Sequence, residues 1–166
     1  VHVSSSAPHL RSSALLPSTY FFVYVSPRPP SSPPVRSSAA SDLYRRQPQG
    51  TIALQARHFE KRGLSLTGFH HATLNIDIAP LEWRLVKPDY CFELVEWLEG
   101  VPAETFSFVH ADIEVCGKVN SALIYHPHPD TKPAHFQAPS VIEVLAPFIP
   151  GVSYGDVVTL LSLIHI

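Results

Sequence analysis

The chain has 166 residues with 12 basic and 14 acidic side chains, a net charge of -2 when histidine is neutral. That length holds one ordinary domain, and a near-neutral balance with no basic stripe interleaved with aromatics excludes a nucleic-acid partner held by its phosphates. The two cysteines, Cys91 and Cys116, lie far apart without a C-x-x-C, which excludes a zinc ribbon and a thioredoxin-type redox motif. They read as buried thiols of a reducing compartment, with a mutual disulfide as the other option.

Residues 1–49 read as a leader. From Val1 to Ser41 there is no acid, and Pro27 to Pro34 runs Pro-Arg-Pro-Pro-Ser-Ser-Pro-Pro. Such composition cannot bury enough apolar surface to offset chain entropy, so the leader is expected to be disordered or extended. Its Ser- and Arg-rich, acid-poor character fits an organelle transit peptide. With Val1 first and no methionine anywhere, it fits translated non-native sequence equally well. The expected location is therefore cytoplasmic, or organellar if the leader is a genuine transit peptide. The apolar patch Tyr20 to Val25 is too short to cross a bilayer, which takes about 20 residues, and no membrane partner is expected.

Residues 50–160 form the expected folded domain. Strand signals run Thr51 to Ala56, Thr73 to Ile78, Trp83 to Val86, Phe106 to Val115, Lys118 to Tyr125, Val141 to Leu145 and Asp156 to Leu160. These runs are short, rich in branched and aromatic residues, and separated by Pro, Gly and Asn/Asp, the pattern of a small barrel with at most one or two short helices. Cys116-Gly117-Lys118 reads as a hairpin turn. Tyr90 to Glu99, bracketed by Pro88 and Pro102, suits a short helix or an extended flap. Trp83 and Trp97 are expected to pack in the core or at its rim. Residues 161–166 read as a non-native tail.

Two segments carry the chemistry. In His71-Ala72-Thr73-Leu74-Asn75-Ile76-Asp77 an oxygen-bearing side chain recurs at every second position, so Thr73, Asn75 and Asp77 share one strand face while Leu74, Ile76 and Ile78 share the other. In Ser140-Val141-Ile142-Glu143-Val144-Leu145-Ala146-Pro147 a single acid sits inside an apolar run, where it must find a partner or change its protonation. Gly155-Asp156-Val157 then feeds a last β-branched strand.

Together these segments resemble the archaeal-type CTP-dependent riboflavin kinases, a cradle-loop β-barrel family whose hallmarks are a G-T-L-N strand, a T…(L/I)-E-(I/V)-(I/L)-A-P segment and a closing G-D-x-V strand. The resemblance runs from about Gly50 to Leu160 and implies a small closed cradle-loop barrel that transfers a nucleotide phosphoryl group to riboflavin, giving FMN. It further implies Mg2+ at Thr73 and Asn75, a flavin contact at Glu143 and Thr131, and CTP or another nucleotide as donor. Two neutral oxygens are sensible magnesium ligands, since that ion keeps several waters and takes further oxygens from phosphate. Departures from the pattern are Ala72 in place of glycine, no G-x-G loop in Gly50 to Arg57, and Phe148-Ile149-Pro150-Gly151 where the family has Asn-Leu-Arg.

A rival reading starts from the histidines. His126-Pro127-His128-Pro129-Asp130 and His135 place three imidazoles and a carboxylate within ten residues, a set suited to zinc or a redox metal. It implies a non-catalytic β-barrel binding a small ligand or metal through His126, His128 and His135. The bland counterpart is a loop of solvent-exposed histidines.

Overall fold

The computed structural model describes residues 50–132, 137–153 and 155–162, together with the backbone of 20–25. Its elements are β1 (Tyr20–Val25), α1 (Thr51–Glu60), β2 (Leu74–Asp77), β3 (Tyr90–Val95), β4 (Glu104–Val115), β5 (Lys118–Pro127), a 3-10 turn (Pro129–Thr131), β6 (Val141–Leu145) and β7 (Val157–Ser162). The protein is mainly β, as expected. The strands pair in the order β3-β4-β5-β6-β2-β1-β7, every determined pair being antiparallel, and β7 pairs in addition with β4.

The long hairpin β4–β5 is the spine. Its turn is Cys116-Gly117, with φ of 50 and 75, and the two positive angles match the right-handed twist of the strands they join. Val115 pairs with Lys118 and the ladder runs back to Phe106 and Pro127. The other edge of β4 is shared, with β3 along Glu104 to Phe108 and β7 along Ala111 to Glu114. Both cysteines are exposed and free, so neither the buried-thiol reading nor the disulfide holds. Cys116 is carried outward by the turn itself and Cys91 by the outermost strand.

Six consecutive buried residues, Glu104 to Val109, show that the first half of β4 is covered on both faces. Val109, Ala111 and Ile113 join Ile76, Ile124, Ile142, Val144 and Val158 in one core. Phe106 and Phe108 join Leu123, Tyr125 and Leu145 in a second, which α1 covers with Ile52 and Phe59.

Thr51–Glu60 is a helix, not the expected strand. The alternation of Ile52, Leu54 and Ala56 is local, whereas Ile52, Gln55 and Phe59 recur at helical spacing and are the residues buried. Ala53 to Arg57 are strong helix formers. The helix stops at Gly63, φ 96, with Leu64 N–H donating to Phe59 O and Gly63 N–H to Glu60 O, both at 3.0 Å, in a Schellman closure.

Tyr90–Val95 is strand rather than helix, because β4 offers it an aromatic face: Phe92 lies opposite Phe106 and Tyr90 opposite Phe108. A bulge at Leu94, φ 46, turns Trp97 inward to 1% exposure. Trp83 to Val86 forms no strand, only an isolated bridge at Arg84. Trp83 nonetheless packs at the first core and donates its indole N–H to Val141 O at 3.0 Å.

Within the segment expected to be disordered, Tyr20–Val25 is a strand joining β2 to β7. Six consecutive aromatic and branched residues are strongly β-favouring, and two strand edges stand ready to pair with them. The rest of 1–49 lies outside the described residues. β7 runs to Ser162, two residues into the expected tail; 163–166 lie outside the described residues.

Candidate functional site

The β2–β6 ladder brings the two sequence motifs together. Asn75 stands directly opposite Glu143, flanked by the pairs Leu74 with Val144 and Ile76 with Ile142. The ladder is held beyond both ends, by His70 N–H to Ala146 O at 2.8 Å and Ile78 N–H to Ser140 O at 2.9 Å. Ile76, Ile78, Ile142 and Val144 take the core face, so Asn75, Asp77 and Glu143 share the other, as the alternation predicts, while Thr73 lies one residue before β2.

Asn75 Oδ1 is buried and has no hydrogen-bond partner among the described residues. An orphaned carbonyl oxygen costs about 1–3 kcal/mol unless something supplies a donor or a cation. Glu143 stands across the ladder from it, and the half-buried Thr73 lies two residues earlier in the chain, just before β2. Asp77 is committed elsewhere, its Oδ1 accepting Ala79 N–H at 3.0 Å. Hard oxygens in this number and mixture suit Mg2+ shared with a phosphate.

Thr131 belongs to a different constellation. Its hydroxyl accepts Thr105 N–H at 2.9 Å and donates to His128 O at 3.1 Å, fastening the 3-10 turn to the start of β4. Those bonds give Thr131 a fastening role in the turn. His128 is held in turn, with its N–H on Thr105 O at 2.9 Å and Nε2 on the Ser107 hydroxyl at 2.8 Å.

His126 and His128 do come together, with ring centroids 5.2 Å apart and Trp83 packed edge-on against His126 at 5.0 Å. His135 lies outside the described residues. Among the described residues no three His, Cys, Asp or Glu side chains are grouped to hold a metal. Burial, followed by the neighbouring His128, pushes His126 down to about 4. The unfolded chain therefore takes up a proton near pH 6.5 that the folded protein refuses until about pH 4, so stability should fall as pH drops through that window. We expect a loss of roughly 1–2 kcal/mol, well below the full linkage value because the ring keeps contact with solvent. Urea unfolding at a series of pH values checks it: His126→Phe should flatten the dependence, and an unchanged slope would assign it to other groups.

Two open clefts border the segment that follows α1. The larger, about 650 Å³, lies among Ser65, Phe69, Tyr90, His110 and Leu123. The smaller, about 400 Å³, runs between Ala56, Glu60 and the 65–71 loop and ends at His71, two residues before Thr73. Neither is lined by Thr73, Asn75, Glu143 or Thr131. The orphaned Asn75 oxygen marks the site better than cleft size does, since a shallow open groove binds little.

Gln55 and Tyr125 escaped the sequence reading. The signal was there: a glutamine at the centre of a helix face otherwise made of Ile52 and Phe59. In comparisons with known proteins the chain matches no family model and no curated protein.

Proposed function

We propose that the protein is a riboflavin kinase-like phosphotransferase, built on a barrel of the cradle-loop kind and using the Asn75–Glu143 pair as its centre. The observation that carries this reading is the cross-strand pairing of Asn75 with Glu143, positions that come from two separate motifs of the resemblance, together with the Asn75 oxygen that has no partner among the described residues. Closure of the barrel is supported by the pairing of β4 with both β5 and β7, and of β1 with both β7 and β2.

Thr73 and Asn75 would hold Mg2+, which when bound neutralises charge on the nucleotide phosphates. Glu143 would contact the flavin and orient its ribityl hydroxyl for in-line attack on the terminal phosphorus, the new O–P bond forming as the bond to the departing nucleoside diphosphate breaks and the hydroxyl proton passes to solvent. Such catalysis is mostly positioning and charge neutralisation, so few protein groups are required. The donor is CTP or another nucleotide, and a relaxed preference is expected. Residues 51–60 are helical where a glycine loop was sought, and Phe148, 70% exposed and edge-on to His70 at 5.6 Å, stands in place of the polar Asn-Leu-Arg element. No helix among the described residues is long and apolar enough to cross a membrane, and a cytoplasmic or organellar location is proposed.

The test is incubation of the full chain with riboflavin, magnesium and CTP, ATP or GTP in turn, with FMN detected chromatographically. FMN is expected with at least one donor. No FMN with any of the three would rule out the kinase, and retained riboflavin binding would then identify a non-catalytic flavin-binding barrel.

A further inference from the structure

Helix α1 buries Ile52, Gln55 and Phe59, and the surface they meet is apolar, with Phe106, Phe108, Leu123 and Leu145 in the same cluster. A glutamine is the costly choice there, because a carboxamide removed from water must recover its hydrogen bonds. Gln55 is wholly buried. It recovers one bond, from the Tyr125 hydroxyl, which donates to Oε1 at 3.0 Å; its Nε2 has no partner among the described residues. A leucine here with a phenylalanine at 125 would fill the same volume with no polar group to satisfy, so packing alone does not account for this residue.

The placement of Tyr125 supplies a reason. The β5–β6 ladder joins Leu123 to Leu145 and Ile124 to Val144. One step further along, Tyr125 and Glu143 flank each other on the face that carries Leu123 and Leu145. Across the next ladder Glu143 meets Asn75. Gln55, Tyr125, Glu143 and Asn75 thus make a polar row leading from the helix into the site.

We infer that Gln55 is a positioning residue for the Asn75–Glu143 site, holding by the Tyr125 hydroxyl the side chain against which Glu143 is set. This rests on Asn75 and Glu143 being the functional centre, as proposed above. It gives α1 a part in the site through Gln55, with no contact between the helix and the ligand.

The experiment compares the full chain with Gln55→Leu, Tyr125→Phe and the double variant. It reads thermal midpoint, riboflavin and FMN affinity by flavin fluorescence, and the carboxyl carbon resonance of Glu143 at one fixed neutral pH. Gln55→Leu removes the stranded Nε2 but takes the acceptor from the Tyr125 hydroxyl, so the double variant, which removes both polar groups, should melt at or above Gln55→Leu, while flavin affinity falls about tenfold in each, the scale of one buried hydrogen bond. The Glu143 resonance should move in both single variants, and the double should add little, since both act through one contact. If Gln55→Leu fails to fold, Tyr125→Phe, which deletes one oxygen, carries the same test. An unmoved Glu143 resonance with unchanged affinity in folded variants overturns the inference. Should the parent bind no flavin while the resonance still moves, the positioning role stands and the flavin reading falls.

Discussion

Phe59→Ala is expected to lower stability by about 3–5 kcal/mol, the range for deleting a fully buried aromatic ring. Phe59 is 0% exposed and sits among three other rings, stacked on Phe92 at 5.7 Å and edge-on to Phe106 at 5.2 Å and Phe108 at 4.9 Å. Edge-to-face pairs of this kind add to the area term, and the surrounding rings are fixed on two paired strands, β3 and β4, so the cavity has no simple way to collapse. The same side chain is the anchor of α1, and its carbonyl accepts the Leu64 N–H that closes the helix. Urea unfolding should therefore show a large fall in midpoint and a loss of near-ultraviolet ellipticity from the aromatic cluster. Phe59→Leu, which leaves a smaller void, should cost clearly less. A loss below about 1 kcal/mol for the alanine variant, the size of a typical surface change, would mean that α1 is not docked on β4 as described.

The second expected result separates chemistry from packing. Thr73→Val and Asn75→Leu should each reduce phosphoryl transfer by about a hundredfold, the scale of losing one group that stabilises transition-state charge. Both replacements are close in volume to the native residue. Asn75→Leu removes a buried oxygen with no partner among the described residues, so folding stability should hold or rise even as activity falls. If both oxygens act through one ion, as proposed, the double variant should cost much less than the sum of the two. Parallel losses of stability and activity would instead make Thr73 and Asn75 structural residues, and a strictly additive double variant would remove the shared ion.

The sequence by itself determined what depends on nearest neighbours and period. The alternation Leu74-Asn75-Ile76-Asp77 sorted core from polar face correctly, since strand geometry sends successive side chains to opposite sides whatever the partner. Cys116-Gly117 specified its own turn, because the angles a two-residue hairpin demands are local. Tertiary structure alone decided the rest. Tyr90–Val95 is a strand because Phe106 and Phe108 lie beside it, an encounter its own helix-compatible pattern could not encode. Tyr20–Val25 joins the sheet through edges provided by β2 and β7, far away in sequence. Thr131 is tied to Thr105 and His128 by the hydrogen bonds of a tight turn, partners that its own neighbourhood in the sequence does not announce. The meeting of Asn75 with Glu143 is a matter of register between distant strands, and only the burial of one whole face, where a slip of one residue would turn every apolar side chain outward, sets that register.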